Sequence, residues 1–162
     1  MSLRCFPLIV ALATSPALSG AQVIDSIADN ELHQITRAVV TDSLIGGGSR
    51  EGQRFFTGDS ASQSLLSLAG VPFEVGKRGD RIICPGGTTK TGAPVELPVG
   101  YWVSVKLHRT PDKAGWVLRV TKGCEFIYMG REPSGFYEGG GWEIRKVNGR
   151  WQIVRMLDRV IT

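Results

Sequence analysis

The sequence predicts an α+β domain, with N-terminal helices packed on a bent antiparallel sheet of about six strands. Apolar residues recur at helical spacing near the start of the chain, and apolar and polar residues alternate through its second half. An Asn-Gly dipeptide separates the last two alternating segments, as in a β-hairpin. The 162 residues are 42% apolar and 21% charged, which is typical of one globular domain.

Residues 1–21 have the pattern of a secretory signal peptide. Arg4 precedes a short apolar stretch, and Ser19-Gly20-Ala21 places small residues before a cleavage position ahead of Gln22. We therefore expect residues 22–162 to form a single exported domain, either periplasmic or secreted. No apolar run reaches the roughly 18 residues of a membrane span.

Two of the three cysteines, Cys84 and Cys124, lie outside this segment. An even pair in an exported domain predicts one disulfide bond, worth about 4 kcal/mol in the chain-entropy model. The sequence has no Cys-x-x-Cys pair, and His33 and His108 are too scattered for metal-ligand spacing. No metal, cofactor or redox function is predicted.

The first helix is predicted over residues 22–41, where apolar residues recur every three or four positions and Gly46-Gly47-Gly48 follows. A second helix is predicted between Asp59, a suitable N-cap, and Gly70, a suitable C-terminal glycine. Pro72 prevents its continuation. Both helices precede the alternating segments, which gives the order expected of helices packed on a sheet.

The alternating segments predict the strands. Short strands are expected at residues 73–75 and 81–84, and longer ones at residues 99–108, 116–121 and 124–129. Residues 85–98 form a long predicted loop, longer than most connections. The segment from Thr110 to Gly115 has the composition of a turn.

The hairpin at Asn148-Gly149 carries the strongest local pattern. This dipeptide favours a type I′ turn, which fixes the pairing of Val147 with Arg150. The predicted core face of the hairpin consists of Trp142, Ile144, Trp151 and Ile153, and the predicted solvated face of Glu143, Arg145, Arg150 and Gln152. Gly139-Gly140-Gly141 predicts a bulge or bend just upstream.

The last predicted hairpin has the sequence Gly141-Trp142-Glu143-Ile144-Arg145-Lys146-Val147-Asn148-Gly149-Arg150-Trp151-Gln152-Ile153-Val154. This segment resembles the closing strands of the cone-shaped, nuclear-transport-factor-like superfamily. The resemblance implies a pocket at the open end of the cone, but no particular reaction, and it assigns no catalytic residue. The short helical part and the Cys84–Cys124 pair depart from the general pattern of that superfamily.

The sequence contains only part of the residues that several catalytic or binding functions require. Gly58-Asp59-Ser60 resembles the nucleophile block of Gly-Asp-Ser esterases, but no histidine follows Asp158 as that chemistry would require. The glycine runs lack the Lys-Ser/Thr of a phosphate-binding loop. Basic residues are interleaved with acids, so a solvated surface is favoured over a patch that binds an anionic ligand, and no nucleic-acid partner is predicted.

The leading interpretation is an exported binding or accessory domain without catalysis, with a pocket between helices and sheet. Its partner would be a small molecule or another exported protein. Candidate ligand-binding residues are the aromatics Trp102, Tyr128 and Tyr137.

Two alternatives remain open. The first is a small hydrolase or isomerase that uses His108 with a carboxylate such as Glu138. The second is a protein–protein interaction module that uses an exposed sheet edge or the loop at residues 85–98. Ligand, catalytic status and oligomeric state are not specified by the sequence.

Overall fold

The computed structural model describes residues 30–45, 53–77, 79–85, 97–126 and 134–162. Within these ranges the elements are α1 (Asn30–Ile45), β1 (Phe55–Thr57), α2 (Ser60–Ala69), β2 (Glu74–Val75), β3 (Tyr101–Arg109), β4 (Gly115–Phe126), β5 (Ser134–Val147) and β6 (Arg150–Ile161). The predicted α+β class is confirmed. The predicted signal peptide and most of the predicted loop at residues 85–98 lie outside the described residues.

The six strands form one sheet in the order β2-β1-β3-β4-β5-β6. Strands β3 to β6 form an antiparallel meander, but β1 pairs in parallel with both β2 and β3. The prediction of a fully antiparallel sheet was therefore wrong at this end. Parallel neighbours need a crossover connection, and α2 supplies it between β1 and β2.

Helix α1 ends at Ile45, four residues beyond the predicted end, and residues 22–29 of the predicted helix lie outside the described part of the chain. Its buried side chains are Leu32, Thr36, Val39, Val40 and Leu44. Their three- and four-residue spacing places them on one face of the helix. That face packs on the sheet.

Helix α2 has the predicted ends. The backbone N–H of Ser62 donates to Asp59 Oδ1 over 2.8 Å, which confirms Asp59 as the N-cap. Gly70 adopts a left-handed conformation with φ of 67°, which suits glycine at the end of a helix. The turn sets the direction in which the chain returns to the sheet.

The core lies between the two helices and one face of the sheet, called here the inner face. Its buried strand residues are Phe55, Val103, Val105, Leu107, Trp116, Leu118, Val120 and Ile144. Because successive strand residues face opposite sides, the alternate residues of β3, β4 and β5 form an outer face. The two faces carry different candidate sites.

The predicted hairpin is confirmed, with φ of 52° at Asn148 and 80° at Gly149, and with Val147 paired to Arg150. Beyond Ile153 the β5–β6 register shifts twice, first between Glu143 and Ile144 and again between Gly141 and Trp142. The extra residues, Val154 and Leu157, belong to β6. The bulge predicted in the glycine-bearing strand therefore lies in its partner, and the three glycines pair with β4 without interruption.

Two side chains of the hairpin differ from their predicted environments. Ile153, predicted in the core, is 47% exposed because β6 is the outermost strand of the described sheet. Glu143, predicted on a solvated face, is only 6% exposed because two arginines cover it. Trp142 and Trp151 are partly buried against the core, as expected for the inner face.

The predicted disulfide bond joins Cys84 and Cys124, whose Cα atoms are 4.9 Å apart. The segment around Cys84 is not a full strand as predicted; Ile83 forms isolated bridges to Val99 and Glu125. The bond thus attaches this segment to the end of β4. No helix in the described ranges is long and apolar enough to cross a bilayer.

Candidate functional site

A cavity of about 320 Å³ lies between the C-terminal half of α1 and the inner face of β4, β5 and β6. Leu44, Val120, Trp142 and Met156 form its apolar wall. The charged side chains at the cavity are Asp42, Lys122, Glu138 and Arg159. An apolar wall with a few converging polar groups is the usual composition of a ligand pocket.

Gly140 of β5 makes room for a ring that lines this cavity. The ring of Trp142 lies over Gly140 so closely that a Cβ atom there would come within 2.8 Å of the ring. A larger residue at Gly140 would displace this ring, which lines the cavity. Gly139 faces the outer side of the sheet, where a Cβ atom would come within 2.7 Å of Thr121 Cγ2.

The charged groups converge on Glu138. Lys122 lies opposite Glu138 in the β4–β5 pair, with Nζ 3.4 Å from Glu138 Oε2. Nη2 of Arg159 is 3.9 Å from Glu138 Oε1. The Lys122 side chain is 16% exposed, so its ammonium group is partly withdrawn from water. One carboxylate is thus held between two cations at the edge of an apolar wall.

Tyr101 extends this polar group along the inner face. Nζ of Lys122 lies 5.5 Å from the centre of the Tyr101 ring, within cation–π range. Burial raises the pKa of the Tyr101 phenol, and the negative charge of Glu138 raises it further. The phenol therefore stays protonated at neutral pH and is a hydrogen-bond donor rather than an anion.

The candidate residues from the sequence fall on different faces of the sheet. Glu138 lies in the inner cavity, whereas Trp102, Tyr137 and His108 lie on the outer face. Tyr128 lies outside the described residues. The pocket between helix and sheet therefore contains one of the four candidates that the structure describes.

His108 and Glu138 are not brought together. His108 pairs with Val117 across β3 and β4, and its side chain is exposed on the outer face. Burial, then the nearby charges of Arg119 and Lys106, lower its pKa. A base facing cations on one side of a sheet does not act with a carboxylate on the other side, so this proposed pair has no geometric support.

A second depression lies on the outer face near the disulfide bond, with a volume of about 690 Å³. Trp102 and Tyr137 flank Gly123 there, because Gly123 is paired with both residues. Asp80, Arg81 and Glu125 also line it. Apart from glycines, Ile82 and Cys124 complete its lining.

The cavity also contains residues that the sequence did not single out. The position of Lys122 could have been predicted, because alternation along β4 places it on the same face as the buried Leu118 and Val120. The position of Arg159 could not have been predicted in this way, because the two register shifts in β6 change which residues face inward. Asp42 belongs to the last four residues of α1, which the predicted helix did not include.

No protein-family model, curated protein or solved structure matches this chain. The relation to the nuclear-transport-factor-like superfamily therefore stays a prediction. Among the described residues, no group of three or more His, Cys, Asp or Glu side chains could hold a metal ion.

Proposed function

We propose that the protein is an exported, non-catalytic binding domain that holds a small amphipathic molecule in the inner cavity. The observation that carries the proposal is the convergence of Lys122, Glu138 and Arg159 beside an apolar wall. A disulfide bond in the fold is compatible with an oxidising, extracytoplasmic compartment.

The cavity suits a ligand with an apolar body and a polar head. Its volume of about 320 Å³ lies at the lower end of the range for small-molecule sites. Trp142 and Met156 offer a ring and a flexible thioether to the apolar body. Lys122 and Arg159 would bond an acidic head by exchanging one of their contacts with Glu138 for a contact with the ligand.

We expect the purified protein to bind anilinonaphthalenesulfonate, a fluorescent molecule with apolar rings and an anionic head, in this cavity. Replacing Lys122 with methionine (Lys122→Met) removes one cation and should weaken dye binding about tenfold, the value of one charged hydrogen bond. A fluorescence titration measures the dissociation constant. Gly140→Val should also weaken binding, because it displaces the Trp142 ring.

The matched control is Lys106→Met, which removes an exposed lysine from the outer face of β3. It should leave the dissociation constant unchanged. Equal weakening by both lysine substitutions would indicate general charge attraction and refute the cavity as the site. Circular dichroism of each variant verifies that its fold is retained.

A further inference from the structure

The outer depression contains two aromatic residues arranged around a glycine. Trp102 of β3 and Tyr137 of β5 both pair with Gly123 of β4 and lie on the same face of the sheet. Two strand spacings, about 10 Å, therefore separate their Cα atoms. Tyr137 is 54% exposed and Trp102 is partly exposed, so ligands can reach both.

Glycines let both rings lie close to the backbone. A Cβ atom at Gly123 would come within 3.0 Å of two carbons of the Tyr137 ring. A Cβ atom at Gly76 would come within 2.6 Å of Trp102 Cζ3, and one at Gly58 within 3.3 Å of Trp102 Cζ2. Each ring therefore lies against the backbone of a glycine, and the two rings are called here the aromatic strip.

Polar groups of fixed position adjoin this aromatic strip. Nε of Arg81 donates to Glu125 Oε2 over 2.7 Å, and the two side chains are 44% and 37% exposed. Oδ2 of Asp80 accepts from the backbone N–H of Lys77 over 2.7 Å, which orients that carboxylate. Both carboxylates and the guanidinium have further atoms available for hydrogen bonds.

We propose that this outer depression is a binding site for a neutral, β-1,4-linked saccharide chain. The apolar C–H face of a pyranose ring stacks on an exposed aromatic ring, and neighbouring hydroxyl groups bond to carboxylates and guanidinium groups. The Cα atoms of Trp102 and Tyr137, about 10 Å apart, are separated by about the length of two β-1,4-linked pyranose units. Two carboxylates and one guanidinium line the depression, so an acidic polymer is disfavoured.

This site is independent of the inner cavity. Its side chains project from the opposite face of the same strands, and it shares no lining residue with the cavity. Saccharide binding can therefore be tested separately from dye binding, and failure of one leaves the other unaffected.

Isothermal titration with hexasaccharides of β-1,4-linked glucose, N-acetylglucosamine and mannose tests the proposal. At least one should bind to the purified protein. Tyr137→Ala removes one stacking ring and should weaken binding about tenfold. Glu125→Gln should also weaken it, through the loss of a charged acceptor.

Tyr137→Phe keeps the ring and should bind as well as the unmodified protein, and Val160→Ala, elsewhere on the outer face, should have no effect. The absence of binding to all three hexasaccharides would overturn the proposal. So would equal affinity of Tyr137→Ala and the unmodified protein. Binding of a proline-rich peptide in place of saccharide would assign the aromatic strip to a protein partner and would likewise reject it.

Discussion

Glu143 is buried on the outer face because two guanidinium groups cover it. Arg145 Nε donates to its Oε1, and Arg155 Nη2 lies 2.6 Å from its Oε2. The hydrogen bond from Arg145, followed by that from Arg155, lowers the pKa of Glu143. Nη1 of Arg145 also contacts Asp112 in the β3–β4 turn, so the cluster links that turn to the last two strands.

Asp112 makes this cluster sensitive to acid. A hydrogen bond from the Thr110 hydroxyl, then one from Arg145, lowers its pKa from 3.8 to about 2. As the pH falls, the unfolded chain binds a proton at Asp112 before the folded chain does. The stability that this carboxylate contributes is therefore complete above about pH 4 and is lost between about pH 4 and pH 2.

We expect Asp112→Asn to unfold at a lower temperature than the unmodified protein at neutral pH, and the difference to shrink near pH 2. Thermal unfolding followed by circular dichroism at both pH values measures it. The control is Asp42→Asn, which removes an exposed carboxylate from α1. A difference that persists unchanged at pH 2 would contradict the role assigned to Asp112.

At the scale of elements, α2 and β3 are joined by one hydroxyl group. Ser62 is fully buried, and its Oγ accepts the backbone N–H of Val105 over 2.8 Å. The same Oγ lies 2.7 Å from Asp59 Oδ2 and 3.1 Å from the Val105 carbonyl, either of which can accept its single proton. β1 pairs with β3 only at Tyr101 and Trp102. Ser62 thus provides a hydrogen bond to β3 farther along that strand, at Val105.

Ser62→Ala should lower the free energy of unfolding by about 1–3 kcal/mol, because the buried Val105 N–H loses its acceptor. Denaturant unfolding measures the change. Ser67→Ala, on an exposed position of the same helix, is the control and should have little effect. Equal stability of the two variants would show that the Ser62 hydroxyl does not hold β3.

Local patterns in the sequence predicted much of this structure. The Asn148-Gly149 turn fixed the hairpin register, and Asp59 with Gly70 bounded α2, because these residues determine conformation within a few positions. The parallel pairing of β1 was missed, since a strand of three residues has no readable period and its partners are distant in sequence.

The candidate site was less predictable for the same reason. Glu138 was named from its place in the chain, but its partners Lys122 and Arg159 come from neighbouring strands and depend on register. Two irregularities in β6 determine where Arg159 lies, and alternating hydrophobicity does not reveal them. The strand that carries Glu138 was predictable from alternation, but the side chains that converge on Glu138 from its neighbours were not.

At the scale of the whole molecule, the Cys84–Cys124 bond is the covalent link between the segment before β3 and the end of β4. The backbone reinforces it: Cys84 N donates to Glu125 O over 3.0 Å, and Glu125 N donates to Ile82 O over 2.8 Å. These contacts hold Ile82 beside Cys124, and both residues line the outer depression.

Replacing both cysteines with serine should lower the free energy of unfolding by about 4 kcal/mol or somewhat less, because the unfolded chain regains the freedom of an open loop. Denaturant unfolding of the two forms measures the loss. Intact mass should rise by two hydrogens on reduction of the unmodified protein. Alkylation of two thiols without prior reduction would show that the bond does not form.

The alternation of β4 and β5 puts the two proposed sites back to back, one sheet thickness apart. Lys122 faces the cavity while its neighbour Gly123 supports the aromatic strip, and Glu138 and Tyr137 divide in the same way. Loss of a single codon upstream in β4 would therefore exchange the chemistry of the two surfaces instead of trimming one of them. β4 and β5 should therefore tolerate substitutions better than the insertion or deletion of one residue.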